Sequence, residues 1–254
     1  MNLKTIARQL KKEVKSSLFK LQNLDKEQFS CPVCNYTGAF KDFHPTTSTR
    51  KHALCPKCHA LERHRIQYLV VDRLLEKMNT QNLSMLHFAP EDFFRNYFAN
   101  KFGKYETADL YMTNVDHQVD LQNLPFSDRS YDFVFASHVL EHIPDDRQAI
   151  AEISRILKPG GIAVLPVPLV AETTIEYPEP NPNEEYHVRA PGLDYFDRYE
   201  PYFQKIDKIS SDSLPSKYQL YIYEDRSGWP TKECPLRPTM LGEKHLDVVP
   251  VCYV

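Results

Sequence analysis

The stretch SMLHFAPEDF, Ser84 to Phe93, decides how the rest of the chain is read. Its first half is a short apolar run with strand character, and its second half has the look of a helix start. A nucleotide-binding α/β unit normally carries a glycine-rich turn at this junction, because a phosphate must approach the backbone closely. Here the junction has no glycine, and the whole chain contains only seven. Either the strand is ordinary core or a ligand is held without the usual loop.

Outward from this stretch, short apolar runs alternate with helical patterns, which predicts βαβ units and a parallel sheet. Strands are expected near 84–89, 105–109, 131–137 and 162–167, and helices near 91–101 and 145–157. Two further strand-like runs follow, FQKIDKI (203–209) and YQLYIYE (218–224). Before both of them, after Pro168, the segment ETTIEYPEPNPNEEYHVRAPG reads as a long irregular connection of the kind that builds substrate sites. The final residues, 225–254, show no usable periodicity. A chain of 254 residues with net charge −3 has room for one α/β core and a small accessory unit. That charge argues against wholesale nucleic-acid binding. No apolar run approaches the ~18 residues that span a bilayer, and no secretory signal pattern opens the chain, so a cytoplasmic location is expected.

Upstream lie two simpler signals. Leu3, Ile6, Leu10, Val14, Leu18 and Leu21 form one helical stripe among lysines. Residues 1–25 thus read as an amphipathic basic helix, docked on this protein or a dimer mate, lying on an anionic membrane surface, or serving as a transit peptide. Cys31, Cys34, Cys55 and Cys58 give C-x2-C-x20-C-x2-C. Each C-x2-C turn presents two thiolates to one point, so residues 26–60 are expected to hold a structural zinc ion, with His52 and His59 outside the ligand set. A helix over 61–83 connects this module to a main domain over 84–224.

The spacing beyond Ser84 narrows the reading. Asp109, in YETADLY, lies 18 residues beyond Glu91, close to where a Rossmann-type unit places an acid at the end of its second strand. Then come LPFSDRSYDFVFASHVLEHI and RILKPGG. In this order the motifs resemble those of class I S-adenosylmethionine-dependent methyltransferases, over about residues 80–224. More narrowly, CPVC, CPKCHALERHR, LHFAPE and the HVR of YHVR resemble a group of bacterial methyltransferases with an N-terminal zinc-binding segment. Tyr186, before His187, departs from that group's pattern. The resemblance implies a Rossmann-like, mostly parallel sheet with an antiparallel last strand.

It also implies roles. His87 and the turn Ala89, Pro90 and Glu91 would face the methionine part of the cofactor. Asp109 would hold the ribose, Asp120 and Leu121 the adenine, and Ser137 and His138 would lie beside the sulfonium. A cofactor without phosphates does not require a glycine turn, and Glu91 would repel a pyrophosphate, which favours S-adenosylmethionine over a dinucleotide. His187 and His138 are the candidate proton acceptors, and Tyr186, His187 and Arg189 the candidate acceptor-binding residues, Arg189 as a clamp for an acid group. The string HVLEH matches an inverted zinc-protease signature. His138 directly follows a strand and Pro144 closes the turn, so Glu141 and His142 read instead as capping that turn.

The expected activity is methyl transfer to oxygen or nitrogen of a small-molecule, glycan or peptide acceptor in a tailoring or biosynthetic pathway. One alternative is an RNA base methyltransferase docking through Arg50, Lys51, Lys57, Arg63, His64 and Arg65. The other is a non-catalytic scaffold that binds the cofactor. The sequence leaves the oligomeric state open.

Overall fold

The computed structural model describes residues 3–254, with side chains from residue 11 onward, so Leu3, Ile6 and Leu10 of the helical stripe lie outside the described side chains. In chain order the elements are α1 (Leu3–Gln22), β1 (Phe29–Ser30), β2 (Thr37–Gly38), β3 (Lys41–Phe43), β4 (Arg50–Leu54) and α2 (Glu62–Leu75). Then follow β5 (Ser84–Phe88), α3 (Asp92–Phe98), β6 (Lys104–Asp109), β7 (His117–Gln118), β8 (Tyr131–Ala136), α4 (Asp146–Ile156) and β9 (Leu157–Val164). The last part carries β10 (Ile175–Asn181), β11 (His187–Ala190), β12 (Lys205–Ser210), β13 (Ile222–Glu224), β14 (Lys244–His245) and β15 (Val248–Tyr253). These elements form two compact units, one of residues 1–72, 210–227 and 241–247, the other of 73–209, 228–240 and 248–254.

The larger unit is a Rossmann-like α/β sheet of seven strands in the order β12-β15-β9-β8-β5-β6-β7. β5 pairs in parallel with both β6 and β8, and β8 with β9, whereas β15 runs antiparallel to β9. Alternation along the strands divides the core into two layers. Leu86, Phe88, Val134 and Ala136 join Ile150, Ile153 and Ile156 of α4 in the main cluster. His87 and Phe135 face Phe98 of α3 on the other side, with ring centroids 5.2–5.4 Å apart. α4 forms because Ala149, Ile150, Ile153 and Ile156 fall on one face and the Asp145 side chain caps Gln148 N.

The chain leaves β5 for β6 on one side and later reaches β8 on the other, so the strand order reverses at β5. The crevice outside the carboxyl ends at such a reversal is where open α/β sheets bind ligands. A cavity of about 650 Å3 lies at the opposite edge, lined by Leu157, Pro159 and Gly160 near the start of β9.

In the smaller unit β14, β13, β4 and β3 form an antiparallel sheet. YQLYIYE therefore does not extend the main sheet: Tyr223 and Glu224 pair with Lys51 and Arg50. The antiparallel last strand of the main sheet is β15, from within the 225–254 segment. Pro250 obscured it, because proline in a strand pattern argues against a ladder; the register with β9 starts just after it, at Val251. The connection after Pro168 is also more ordered than expected. β10 and β11 form a ribbon in which Glu176 pairs with Arg189, and the register shifts between Glu176 and Asn181, the stretch that holds Pro178 and Pro180.

Arg65 is fully buried and donates to the carbonyls of Ala53, Ala60, Tyr218 and Gln219. This removes Arg65 from the basic face that the RNA alternative invokes. Arg50 pairs with Glu62, Lys51 with Glu243 and Lys57 with Glu13. Of α1, Ser16 is buried whereas Val14, Leu18, Leu21 and the following Leu24 are more than half exposed. No described helix is long and apolar enough to cross a membrane.

Candidate functional site

The carboxyl edge of the parallel strands gathers the expected cofactor residues. Phe88 pairs with Ala108 on β6 and with Ala136 on β8, so the turns after these strands begin at one level. Ala89 takes a left-handed backbone, φ 45°, and its N–H bonds Ala108 O at 2.9 Å. Pro90 follows, and Glu91 in extended conformation precedes α3. The sharp turn is thus made by alanine where a glycine would be easier.

Asp109 closes β6. Its Oδ1 accepts from Tyr111 N and Met112 N, both at 2.7 Å, which fixes the carboxylate within its own turn. The side chain of Asp120 similarly accepts from Gln122 N at 2.9 Å, and neighbouring Leu121 is buried in the main cluster. Both acids are partly exposed. They suit neutral donors such as ribose hydroxyls and an exocyclic amine, so the acceptor set at this edge fits S-adenosylmethionine.

His87 departs from expectation. Its side chain is 1% exposed, enclosed by Phe98 and Phe135, and bonded from Nδ1 to Tyr105 Oη at 2.9 Å. Burial pushes its pKa down to about 3. The ring is a neutral core group beneath α3 and is not presented at the strand ends.

Beyond β8, Ser137 is buried and His138 adopts φ 55°, its N–H bonded to Pro166 O. A single 3-10 turn, Leu140–His142, comes next. Glu141 is completely buried. Burial acts to raise its pKa, but the surrounding imidazoles of His138, His187 and His142 outweigh that, leaving the pKa below its ordinary value. His138 Nδ1 stands 3.5 Å from Glu141 Oε1. On β11, His187 packs edge-on against His142, centroids 4.6 Å apart. Burial lowers the His187 pKa to about 4, against the opposing pull of Glu141, so the ring is neutral at pH 7.

Arg189 also differs from expectation. It is 2% exposed and donates to the carbonyls of Leu140, Ile143 and Pro144 and to Glu176. The guanidinium that was expected to clamp an acceptor instead pins the turn after β8 to the ribbon. Tyr186 is 66% exposed at a left-handed position. The residues that sequence reasoning set aside, Glu141 and His142, are those brought together with His187. The signal lies in HVLEH, whose Glu141 and His142 read from sequence as caps of the turn.

In the smaller unit the four cysteines converge without disulfides. Cys31 and Cys58 sulfurs are 3.5 Å apart and those of Cys34 and Cys55 3.7 Å. Thiolates around zinc at 2.3 Å in a tetrahedron would be about 3.8 Å apart. The two turns repeat one geometry. Asn35 N bonds Cys31 O and His59 N bonds Cys55 O, with Asn35 and His59 both left-handed. His59 is exposed. The donor set and spacing fit a structural zinc ion held by Cys31, Cys34, Cys55 and Cys58.

Comparison with known proteins bears on the fold of the larger unit. Residues 85–165 match the family described as methyltransferase domain. The demethylmenaquinone methyltransferase of Staphylococcus epidermidis is 44% identical over 62 residues, 24% of this chain and 25% of that protein. Its counterpart in Staphylococcus saprophyticus is 39% identical over 62 residues, 24% of this chain and 26% of that protein. The chain therefore spans about a quarter of the length of the curated relatives it matches. Among solved structures, an S-adenosylmethionine-dependent methyltransferase from Mesorhizobium loti gives a TM-score of 0.52 at 11% identity, covering 76% of this chain and all of that one. At that identity the likeness is one of fold, and the fold is the class I methyltransferase sheet.

Proposed function

We propose that this protein is an S-adenosylmethionine-dependent methyltransferase acting on oxygen or nitrogen of a small-molecule, glycan or peptide acceptor in a cytoplasmic tailoring or biosynthetic pathway. We place it in the zinc-bearing bacterial group in which LHFAPE stands for the glycine loop. The observation that carries the reading is the common level of the turns after β5, β6 and β8 at the strand-order reversal, two of them bearing Asp109 and the Ser137–His138 pair.

S-adenosylmethionine, when bound, supplies a methyl group made electrophilic by its sulfonium. Asp109, with Oδ1 engaged by its turn, would offer Oδ2 to ribose hydroxyls, and Asp120 would accept from the adenine amine. Backbone groups of Ala89, Pro90 and Glu91 would hold the methionine end, and Leu121 would pack against the base. Ser137 and His138 would lie beside the reacting carbon. His138 and His187, which flank Glu141, are the candidates to take a proton from an acceptor, with the exposed Tyr186 as a candidate acceptor contact. Arg189 holds the turn that carries the cluster.

The internally paired basic residues of the smaller unit weaken the RNA alternative. The exposed stripe Val14, Leu18, Leu21 and Leu24 supports peripheral contact of residues 1–24 with a membrane surface or a second chain. Calorimetry with S-adenosylmethionine followed by tritiated-methyl transfer to metabolite, peptide and RNA fractions tests the proposal. Absence of cofactor binding would overturn it, and labelling confined to RNA would replace the acceptor class.

A further inference from the structure

We infer that Glu141, His142 and His187 form a binding site for a divalent first-row transition-metal ion, separate from the four-cysteine site. One donor atom from each lies within 4.8 Å of the others. Around an ion at about 2.0–2.2 Å, neighbouring donors stand about 3–3.5 Å apart, so side-chain adjustments of about 1 Å close the set.

The polar accounting points the same way. Buried carboxylate oxygens and ring nitrogens are ordinarily hydrogen-bonded, since an unsatisfied buried group costs about 1–3 kcal/mol. Among the described residues, both oxygens of the completely buried Glu141, Nδ1 of His187 and Nε2 of His138 have no hydrogen-bond partner. His138 Nδ1 is the near neighbour of Glu141, at 3.5 Å, and that separation exceeds a good hydrogen bond. A cation held there by a Glu141 oxygen and His187 Nδ1 would satisfy those two groups, while His138 Nε2 lies outside the donor set. Two imidazoles and one carboxylate are the donor set of open transition-metal sites, with positions left for an exogenous ligand.

The surrounding fold is built to present these donors. Arg189 donates to Leu140 O and Ile143 O, which bracket Glu141 and His142 in the 3-10 turn. His187 lies two residues from Arg189 on β11, hence on the same strand face, so one strand both fixes the turn and supplies the third donor. Under the methyl-transfer reading above, on which this part rests, an ion held there would lower the pKa of an acceptor hydroxyl. His187 would then be a ligand, and His138 the residue left to take the proton. Metal binding itself is read without cofactor or acceptor, so its failure leaves that reading standing, and failure of cofactor binding leaves the metal site standing.

The full chain, with zinc in its cysteine site, should take up one further equivalent of Mn2+, read by loss of the free-ion electron paramagnetic resonance signal. Co2+ should give weak d–d absorption without thiolate charge-transfer bands. Glu141→Gln and His187→Gln should each weaken Mn2+ binding about tenfold or more while zinc content stays at one per chain. No second equivalent in the unmutated protein, equal Mn2+ affinity in folded variants, or Co2+ bands of thiolate type alone would overturn the site. The Co2+ and Mn2+ measurements on the unmutated protein decide the matter even where a variant fails to fold.

Discussion

Arg189 Nη1 donates to Leu140 O at 2.8 Å from a side chain that is almost wholly buried. The same guanidinium reaches Ile143 O, Pro144 O and Glu176, so one residue joins the turn after β8 to the β10–β11 ribbon. Lysine lacks the planar fork that makes these contacts together. Arg189→Lys is expected to cost about 2–4 kcal/mol in chemical denaturation. It should also lower methyl-transfer turnover while leaving S-adenosylmethionine affinity nearly unchanged. A variant as stable and active as the parent would show that the pin is dispensable.

Asp109 offers a cleaner test of the cofactor edge. Its Oδ1 holds the Tyr111 and Met112 amides, a task asparagine oxygen also performs. Asp109→Asn should therefore fold normally yet lose a charged acceptor for the ribose. Calorimetry should show S-adenosylmethionine affinity falling about tenfold, or about 1.4 kcal/mol. Unchanged affinity would remove Asp109 from the binding set.

The contrast between Asp109 and Arg189 shows what the sequence can disclose. Strand ends, helix faces and cysteine turns follow from local periodicity, so β5, β6, β8, α4 and the cysteine pairs were legible. The partners of a polar side chain depend on which distant backbone groups arrive beside it. Nothing in YHVR indicates that carbonyls of residues 140, 143 and 144 would surround Arg189, or that His142 would meet His187. Burial of His87 was hidden similarly, because a histidine in an apolar strand reads alike whether its edge meets solvent or aromatic rings. β15 is missed because Pro250 interrupts the period on which strand prediction depends.

The four-cysteine site should matter for stability more than for the cofactor. Cys55 is buried at the core of a small cluster with Phe29, Tyr36 and Phe40, whereas Ala89, Asp109 and Asp120 belong to the other compact unit. Zinc removal by a strong chelator, or Cys55→Ser, should abolish the bound zinc equivalent. The melting temperature should fall by on the order of 10 °C. The Kd for S-adenosylmethionine should stay within about twofold, measured by calorimetry at a temperature where both forms are folded. Direct competition between chelator and cofactor would contradict a structural role.

His87 sets an acid limit on the fold. Burial among Phe98, Phe135 and Tyr105 lowers its pKa from the ordinary 6.5 to about 3. Between those values the unfolded chain binds a proton that the folded chain refuses. The stabilisation is therefore fully present above pH 6.5 and is lost progressively as pH falls toward 3, at up to about 1.4 kcal/mol per pH unit. His87→Gln retains a polar partner for Tyr105 Oη and removes the titration. It should lower stability at pH 7, where an aromatic contact is lost, yet show a shallower decline in urea-unfolding free energy between pH 6.5 and 4. Equal slopes for parent and variant would mean that His87 is protonated in the folded state, and the aromatic enclosure would then have to open below pH 6.5.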